Sequence, residues 1–364
     1  MNADVRLSAL RRRLAEEGQG AILLSNVFNV RYVTGLENVF DDNANVACLI
    51  TPETARIFTD SRYAEAATQA AASTPWSIQA PSSSIYVEIC NDLQDNGIET
   101  LAIESSVPFG RFRFISERFS GKGEAVDDWV EELREVKEAA EVERISRAAA
   151  LTDRAFDHIL GMIAPGKTET EIALELEVFM RRNGSEGVAF PSIVASGPNG
   201  SRPHTVVGSR AIQPGDPVIL DFGARVGGYC SDMTRTVVVG GPATEEFRRV
   251  YDAVLAANLA GRKAARGGVP GVEIDQAARY VLSERGLAEF FGHGLGHGVG
   301  IDVHELPTVS PRGRRSVLSG SVITIEPGVY LKGSFGVRIE DLVVVQDGGC
   351  RVLSAAPTEL IEII

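Results

Sequence analysis

The chain has 364 residues, which is room for two domains at roughly 150 residues each. Its 44% hydrophobic content supplies ample core, and its net charge of −13 argues against nucleic acid or an anionic membrane as the main partner. The four cysteines are scattered with no CxxC pair, which excludes a zinc ribbon or thioredoxin-like site and fits a reducing cytoplasm.

Residues 6–17 are expected to form a helix, with Leu7, Leu10 and Leu14 at helical spacing. Short apolar runs over 21–24, 46–50 and 56–59 read as strands. An Ala-rich helix over 61–72 and a strand over 101–104 follow. This alternation predicts an α/β first domain. A charged helix is expected over 129–159, apolar at Leu133, Val136, Ala140, Ile145, Ala149, Thr152 and Phe156. Composition shifts near 128–136, so the domains are taken as 1–130 and 131–364. The second domain has a capping box at Thr168-Glu169-Thr170-Glu171. Strands over 217–222 and 229–239 flank a hairpin turn at Val226-Gly227-Gly228. Helices over 247–265 and 271–284 and strands over 321–325 and 337–345 complete it. No signal-peptide pattern follows Arg11-Arg12-Arg13, and no run of ~18 apolar residues occurs, so a cytoplasmic chain with no membrane span is expected.

Histidine is scarce, yet three of the five, His293, His297 and His304, fall within one short segment. A lone histidine is more often a core or surface residue, whereas three together suit metal binding or proton transfer. Glycine occupies 292, 294, 296, 298 and 300. If the segment is extended, His293, Leu295, His297 and Val299 share a face, with bare backbone opposite, and His304 needs a bend to join them. HExxH, GxGxxG and Walker patterns are all missing here.

The acids have their own pattern. Asp221 sits in the apolar run Val218-Ile219-Leu220-Asp221-Phe222, and Asp is both a poor strand former and costly to bury unpaired. A two-residue turn at Gly227-Gly228 pairs Asp221 with Thr234 and puts Asp232 diagonally beside Asp221 on the same face. Two such carboxylates repel unless a proton or cation intervenes. Glu326 ends the run 321–325, and Glu340 lies within 337–345. Each acid by itself is more often a solvated or paired group. Four in apolar strands, plus an imidazole, suit a pair of divalent first-row ions.

The segment from His293 through Gly-Leu-Gly-His297 to Val-His304-Glu305 resembles the signature of the proline-peptidase family, which contains aminopeptidase P and prolidase. Asn29–Gly35 and Thr59–Tyr63 are similar to that family's creatinase-type N-terminal domain, and Ser192–Asn199 with Pro203-His204 to its substrate-side histidine segment. The stretch 37–42 departs from the family's small Gly/Ser-rich pattern. The resemblance implies an α/β creatinase-like N-terminal domain and an α+β pita-bread catalytic domain. It implies two divalent ions, most often Mn2+, with Co2+ or Zn2+ accepted. Asp221 would chelate one ion, Asp232 and Glu340 would bridge, and His297 and Glu326 would complete the other side. His204, His293 and His304 would bind substrate, His204 and His304 also steadying the transition state, with Arg338 and Tyr330 orienting the ligands. The implied reaction is hydrolysis of an Xaa-Pro bond at a peptide N-terminus, by a hydroxide held between the ions, with Glu326 moving the proton. A dipeptidase uses the same residues and stays open as an alternative, as does a metal-free binding protein of this fold. A homodimer is also implied.

Overall fold

The computed structural model describes residues 3–36 and 38–364; Glu37, in the stretch that departs from the family pattern, lies outside them. The chain divides into two compact units, Met1–Arg134 and Glu135–Ile364.

The first unit is built on a six-stranded sheet. Ala21–Leu24 lies centrally, antiparallel to Val46–Ile50 and parallel to Thr100–Glu104. Helices Ile85–Asp95 and Phe109–Arg118 bury Ile89, Leu93 and Ile115 into a core with Leu23, Leu49 and Ile103. The opening helix is Ala3–Glu16 and buries the expected Leu7, Leu10 and Leu14. Periodicity gives no warning of the helix Val27–Thr34, whose valines favour a strand. Its ends decide the matter. The Asn26 side chain accepts from Phe28 N, and Gly35 closes the helix at φ 71°, a left-handed conformation glycine adopts without strain.

The long helix expected over 129–159 is broken. Glu131–Glu135 forms one short turn, and Ala139–Leu160 begins afresh behind a Glu138/Glu141 capping box. At the break, Val136 makes a bridge with Ser321, and Lys137 N donates to Gly320 O at 3.0 Å. Tertiary pairing there outweighs helix propensity.

The second unit repeats one plan twice. Helices Ala139–Leu160 and Glu169–Arg182 pack on a four-stranded sheet containing Ile193–Ser196, Asp216–Phe222 and Met233–Val239. Helices Glu245–Ala264 and Gly271–Glu284 pack on a five-stranded sheet containing Gly296–Gly298, Glu305–Val309, Val322–Ile325 and Asp341–Gln346. The expected hairpin register holds, with Thr234 opposite Asp221 and Val226 opposite Tyr229 across the two-residue turn. The strand expected over 337–345 is split: Phe335–Arg338 pairs with Gly328–Leu331, while Asp341–Gln346 joins the five-stranded sheet. At the split, Glu340 N donates to Thr234 O at 3.1 Å, so the four-stranded sheet holds the chain just where it changes partners.

The glycine-rich segment is not one extended strand. Regular pairing covers Gly296–Gly298, and its register against Glu305–Val309 slips between His297 and Gly298. Leu295 and Val299 are buried, Leu295 within the core of the second sheet, so they do not share the face of His293 and His297 as expected. The glycines serve close backbone approach: a Cβ on Gly296 would lie 2.0 Å from Thr324 O, and one on Gly298 2.0 Å from Leu306 O.

Candidate metal centre and active site

Asp221, Asp232, His297, Glu326 and Glu340 all line one cavity of about 310 Å3, together with His204, His293, His304 and Arg338. The five donor residues come from both halves of the unit, Asp221 and Asp232 from the first hairpin and the rest from the second sheet and its approach. Asp232, His297 and Glu340 each offer a ligand atom, all within 4.8 Å of one another. His297 Nε2 lies 3.3 Å from Glu326 Oε1 and 3.7 Å from Asp232 Oδ2.

The electrostatics is that of acids held too close. Burial, then the charges of Glu340, Asp221 and Glu326, push Asp232 well above the usual carboxylate range. Burial, then Glu326 and Asp221, do the same to Glu340. Asp221 is raised by burial, partly offset by the Arg338 guanidinium, which donates to its Oδ2. Asp221 Oδ1 and Asp232 Oδ1 are buried and accept no hydrogen bond. Leaving such an oxygen unmet costs about 1–3 kcal/mol or more. Burial opposes charge on His297, but the hydrogen bond and charge of Glu326 outweigh it and raise the imidazole to about 9. Burial likewise works against Glu326, which His297 draws down to about 2. Hard oxygen donors with one imidazole, crowded beyond what protons relieve, fit a divalent cation.

The imidazoles are oriented by their backbone. His297 Nδ1 lies 3.0 Å from its neighbour's carbonyl, Gly298 O, and His293 Nδ1 lies 2.8 Å from Gly294 O. A carbonyl only accepts, so Nδ1 carries the proton in both rings, and in the neutral form Nε2 is the free lone pair. His297 thereby aims a ligand atom at the acids. His293 Nε2 instead accepts from Tyr330 OH at 2.9 Å, and Tyr330 OH accepts from Arg338 Nη1 at 2.8 Å. Burial pushes Tyr330 up to about 12, so it stays a donor. The rings of His297 and His304 sit 4.3 Å apart, so the slip at Gly298 supplies the bend that His304 needs. Burial, then the neighbouring His297 charge, holds His304 below the ordinary histidine range. His204 lines the cavity from an exposed position.

Several supporting residues carry no sequence signal of their own. Thr234 Oγ1 donates to Glu340 Oε2 at 2.7 Å. Arg235, fully buried, donates to Asp341 Oδ1 at 2.8 Å and to Pro357 O at 2.8 Å. Lys137 Nζ meets Glu305 Oε1 at 2.6 Å, both side chains buried, directly after His304. Glu169, completely buried at a helix start, accepts from Ser196 N and Oγ at 2.8 Å and from Asn199 Nδ2, fixing the turn before His204. The capping box flags that helix start; nothing flags Thr234 and Arg235 in their strand or Lys137 at the helix break.

Two family models match the chain, one in each unit. Residues 143–347 match the model of metallopeptidase family M24, and residues 6–136 match the creatinase/prolidase N-terminal domain. The chain belongs to metallopeptidase family M24. Among its relatives, the Xaa-Pro dipeptidase of Pyrococcus horikoshii is 35% identical over 94% of both chains. The M24 fold is shared across whole chains. A Bacillus anthracis Xaa-Pro dipeptidase structure superposes with a TM-score of 0.93 at 36% identity, covering 100% of both chains. The X-Pro aminopeptidase structure from Thermotoga maritima gives 0.83 at 37% identity, covering 95% of this chain and 98% of its own. The two-domain reading, creatinase-type followed by pita-bread, holds for this M24 chain. Among the described residues no helix is long and apolar enough to cross a membrane.

Proposed function

We propose that this chain is a metal-dependent Xaa-Pro peptidase acting foremost on dipeptides with proline second. The observation that carries the reading is the convergence of four carboxylates and one Nε2-presenting imidazole in a cavity that also holds three further histidines. The cavity, about 310 Å3, is at the small end for ligand sites, in keeping with a short peptide. The 35% identity to a dipeptidase over 94% of both chains supports the choice of dipeptides. Aminopeptidase action on longer peptides, which the sequence motif first suggests, keeps support from the 37% identity to the Thermotoga enzyme.

Two ions would be held, Asp221 on one, Asp232 and Glu340 between them, and His297 with Glu326 on the other. Mn2+ is the proposed metal, with Co2+ or Zn2+ as substitutes. When bound, such ions make hydroxide available near neutrality and polarise a carbonyl. The chain's own groups do the rest. Arg338 and Tyr330 hold Asp221 and His293 in place. His293 and His204 bind the substrate. His304, which burial keeps from taking up a proton, or His204 offers one N–H to the developing oxyanion. Glu326 carries the proton to the prolyl nitrogen, which as a tertiary amide has no hydrogen of its own. Residues 131–364 would form the catalytic domain and 1–130 its companion, in a cytoplasmic homodimer.

The test is hydrolysis of Ala-Pro and of Ala-Pro-Ala-Ala with manganese, each against a chelated control. Chelator-sensitive cleavage of Ala-Pro alone supports the dipeptidase. Fast alanine release from the longer peptide transfers the assignment to the aminopeptidase. Cleavage of neither, with metal bound, ends the Xaa-Pro reading.

A further inference from the structure

His293 sits between two core residues, Phe291 and Leu295, on a stretch of backbone that forms no strand ladder. Strand pairing begins at Gly296, and Gly292 has nothing within 4 Å of where a Cβ would lie, so packing does not confine it. Glycines also lose the most conformational freedom when ordered.

Beyond that core packing, the backbone polar groups of the segment are met by an ion pair on the helix Gly271–Glu284. Arg279 Nε donates to Asp275 Oδ2 at 2.7 Å, and Nη2 to Oδ1 at 3.2 Å, one helical turn apart. The same guanidinium donates through Nη1 to Phe291 O at 2.9 Å and through Nη2 to His293 O. It also lies 4.2 Å over the Phe291 ring. Asp275, completely buried, accepts from Leu295 N at 3.0 Å through Oδ1. Leu295 O in turn accepts from Glu326 N at 2.8 Å. The ion pair thus meets backbone groups at 291 and 293 through Arg279 and at 295 through Asp275, standing in for the ladder that the glycines do not form. A lysine could not, since it lacks the planar donor pair.

We propose that Asp275 and Arg279 are positioning residues that hold His293, and the backbone of Glu326, in the geometry the cavity needs. Their consequence for catalysis rests on the peptidase reading; the restraint itself does not.

The experiment uses the full, metal-loaded chain. Hydrogen exchange is measured over peptides covering 288–297 in wild type, Arg279→Ala and Arg279→Lys. Exchange there should quicken about tenfold or more in Arg279→Ala, with the two strand cores unchanged. Turnover of Ala-Pro should fall roughly 100-fold at wild-type metal content. Arg279 is a quarter exposed, so added guanidinium ion can refill the gap. It should restore both protection and turnover, while methylammonium should not. Should Arg279→Ala not fold, Arg279→Lys is read by the same two measures, and wild-type exchange and turnover in it overturn the inference. Unchanged exchange over 288–297 in Arg279→Ala overturns it, as does a loss of protection throughout 135–364 that guanidinium leaves untouched. A wild type that never cleaves Ala-Pro sinks the peptidase reading and leaves the exchange result to decide this one.

Discussion

His297 and Asp232 show what single side chains do here. His297 keeps its Nδ1 proton on Gly298 O and turns Nε2 toward Asp232 and Glu326. Asp232 carries an oxygen no donor meets, among carboxylates that push its protonation upward. Asp232→Asn removes that repulsion and one anionic donor together. In metal-stripped protein the variant should melt above wild type, and in the presence of manganese it should melt below it and lose activity. A calorimetric scan of both proteins, with and without metal, gives the comparison, and the same order under both conditions would count against the site. Glu326→Ala should cost turnover at least about 100-fold, the scale of a lost proton carrier, and wild-type rates at full metal content would remove Glu326 from the mechanism. At this scale much is readable from sequence, because acids stand out in apolar strands and histidines in a chain with few. Thr234 and Arg235 do not stand out. They look like ordinary strand residues until the fold lays Glu340 and Asp341 beside them.

Elements are set by close approaches more than by propensity. Gly296 and Gly292 are alike in sequence but not in setting, since a Cβ at 296 would strike Thr324 O and one at 292 would meet nothing. Gly296→Ala should therefore cost about 1–3 kcal/mol or more and depress activity, while Gly292→Ala should leave stability within about 0.5 kcal/mol. Urea titration separates the two. The Lys137–Glu305 pair makes a similar case. Lys137→Met takes away the cation beside the buried Glu305 carboxylate and should lower stability, and adding Glu305→Gln should recover part of the loss. A double variant no better than the single would mean that shape, not charge, matters there. Hairpin register follows from the turn, which is why Thr234 can be placed opposite Asp221 in advance. The break at 136–138 and the split at 339–340 cannot, because partners far along the chain impose both.

For the molecule as a whole, the crowded acids make stability a function of pH when metal is removed. Asp232 and Glu340 are raised in the folded state, so it binds more protons than the unfolded chain, and stability falls as pH rises. The His297 contribution, complete below its unfolded value of about 6.5, is lost as pH climbs to about 9. Glu326, drawn down to about 2, contributes throughout that range and fails only in strong acid. Chelated protein should thus melt lower at about pH 9 than at about pH 6, and a flat or rising melting point would contradict the arrangement. The two-domain plan is visible in the alternation of the first third and in the motifs of the rest; the doubling of helix pair on sheet is not, since the halves share geometry without shared residues. That doubling has a kinetic corollary. The acids meet across the seam between the halves, with Thr234 and Glu340 joined over 106 residues of chain. A cation can find its full donor set only after nearly everything else has assembled. It should leave the rate of folding almost untouched and act on the rate of escape, so that the loaded enzyme is durable because it is slow to open.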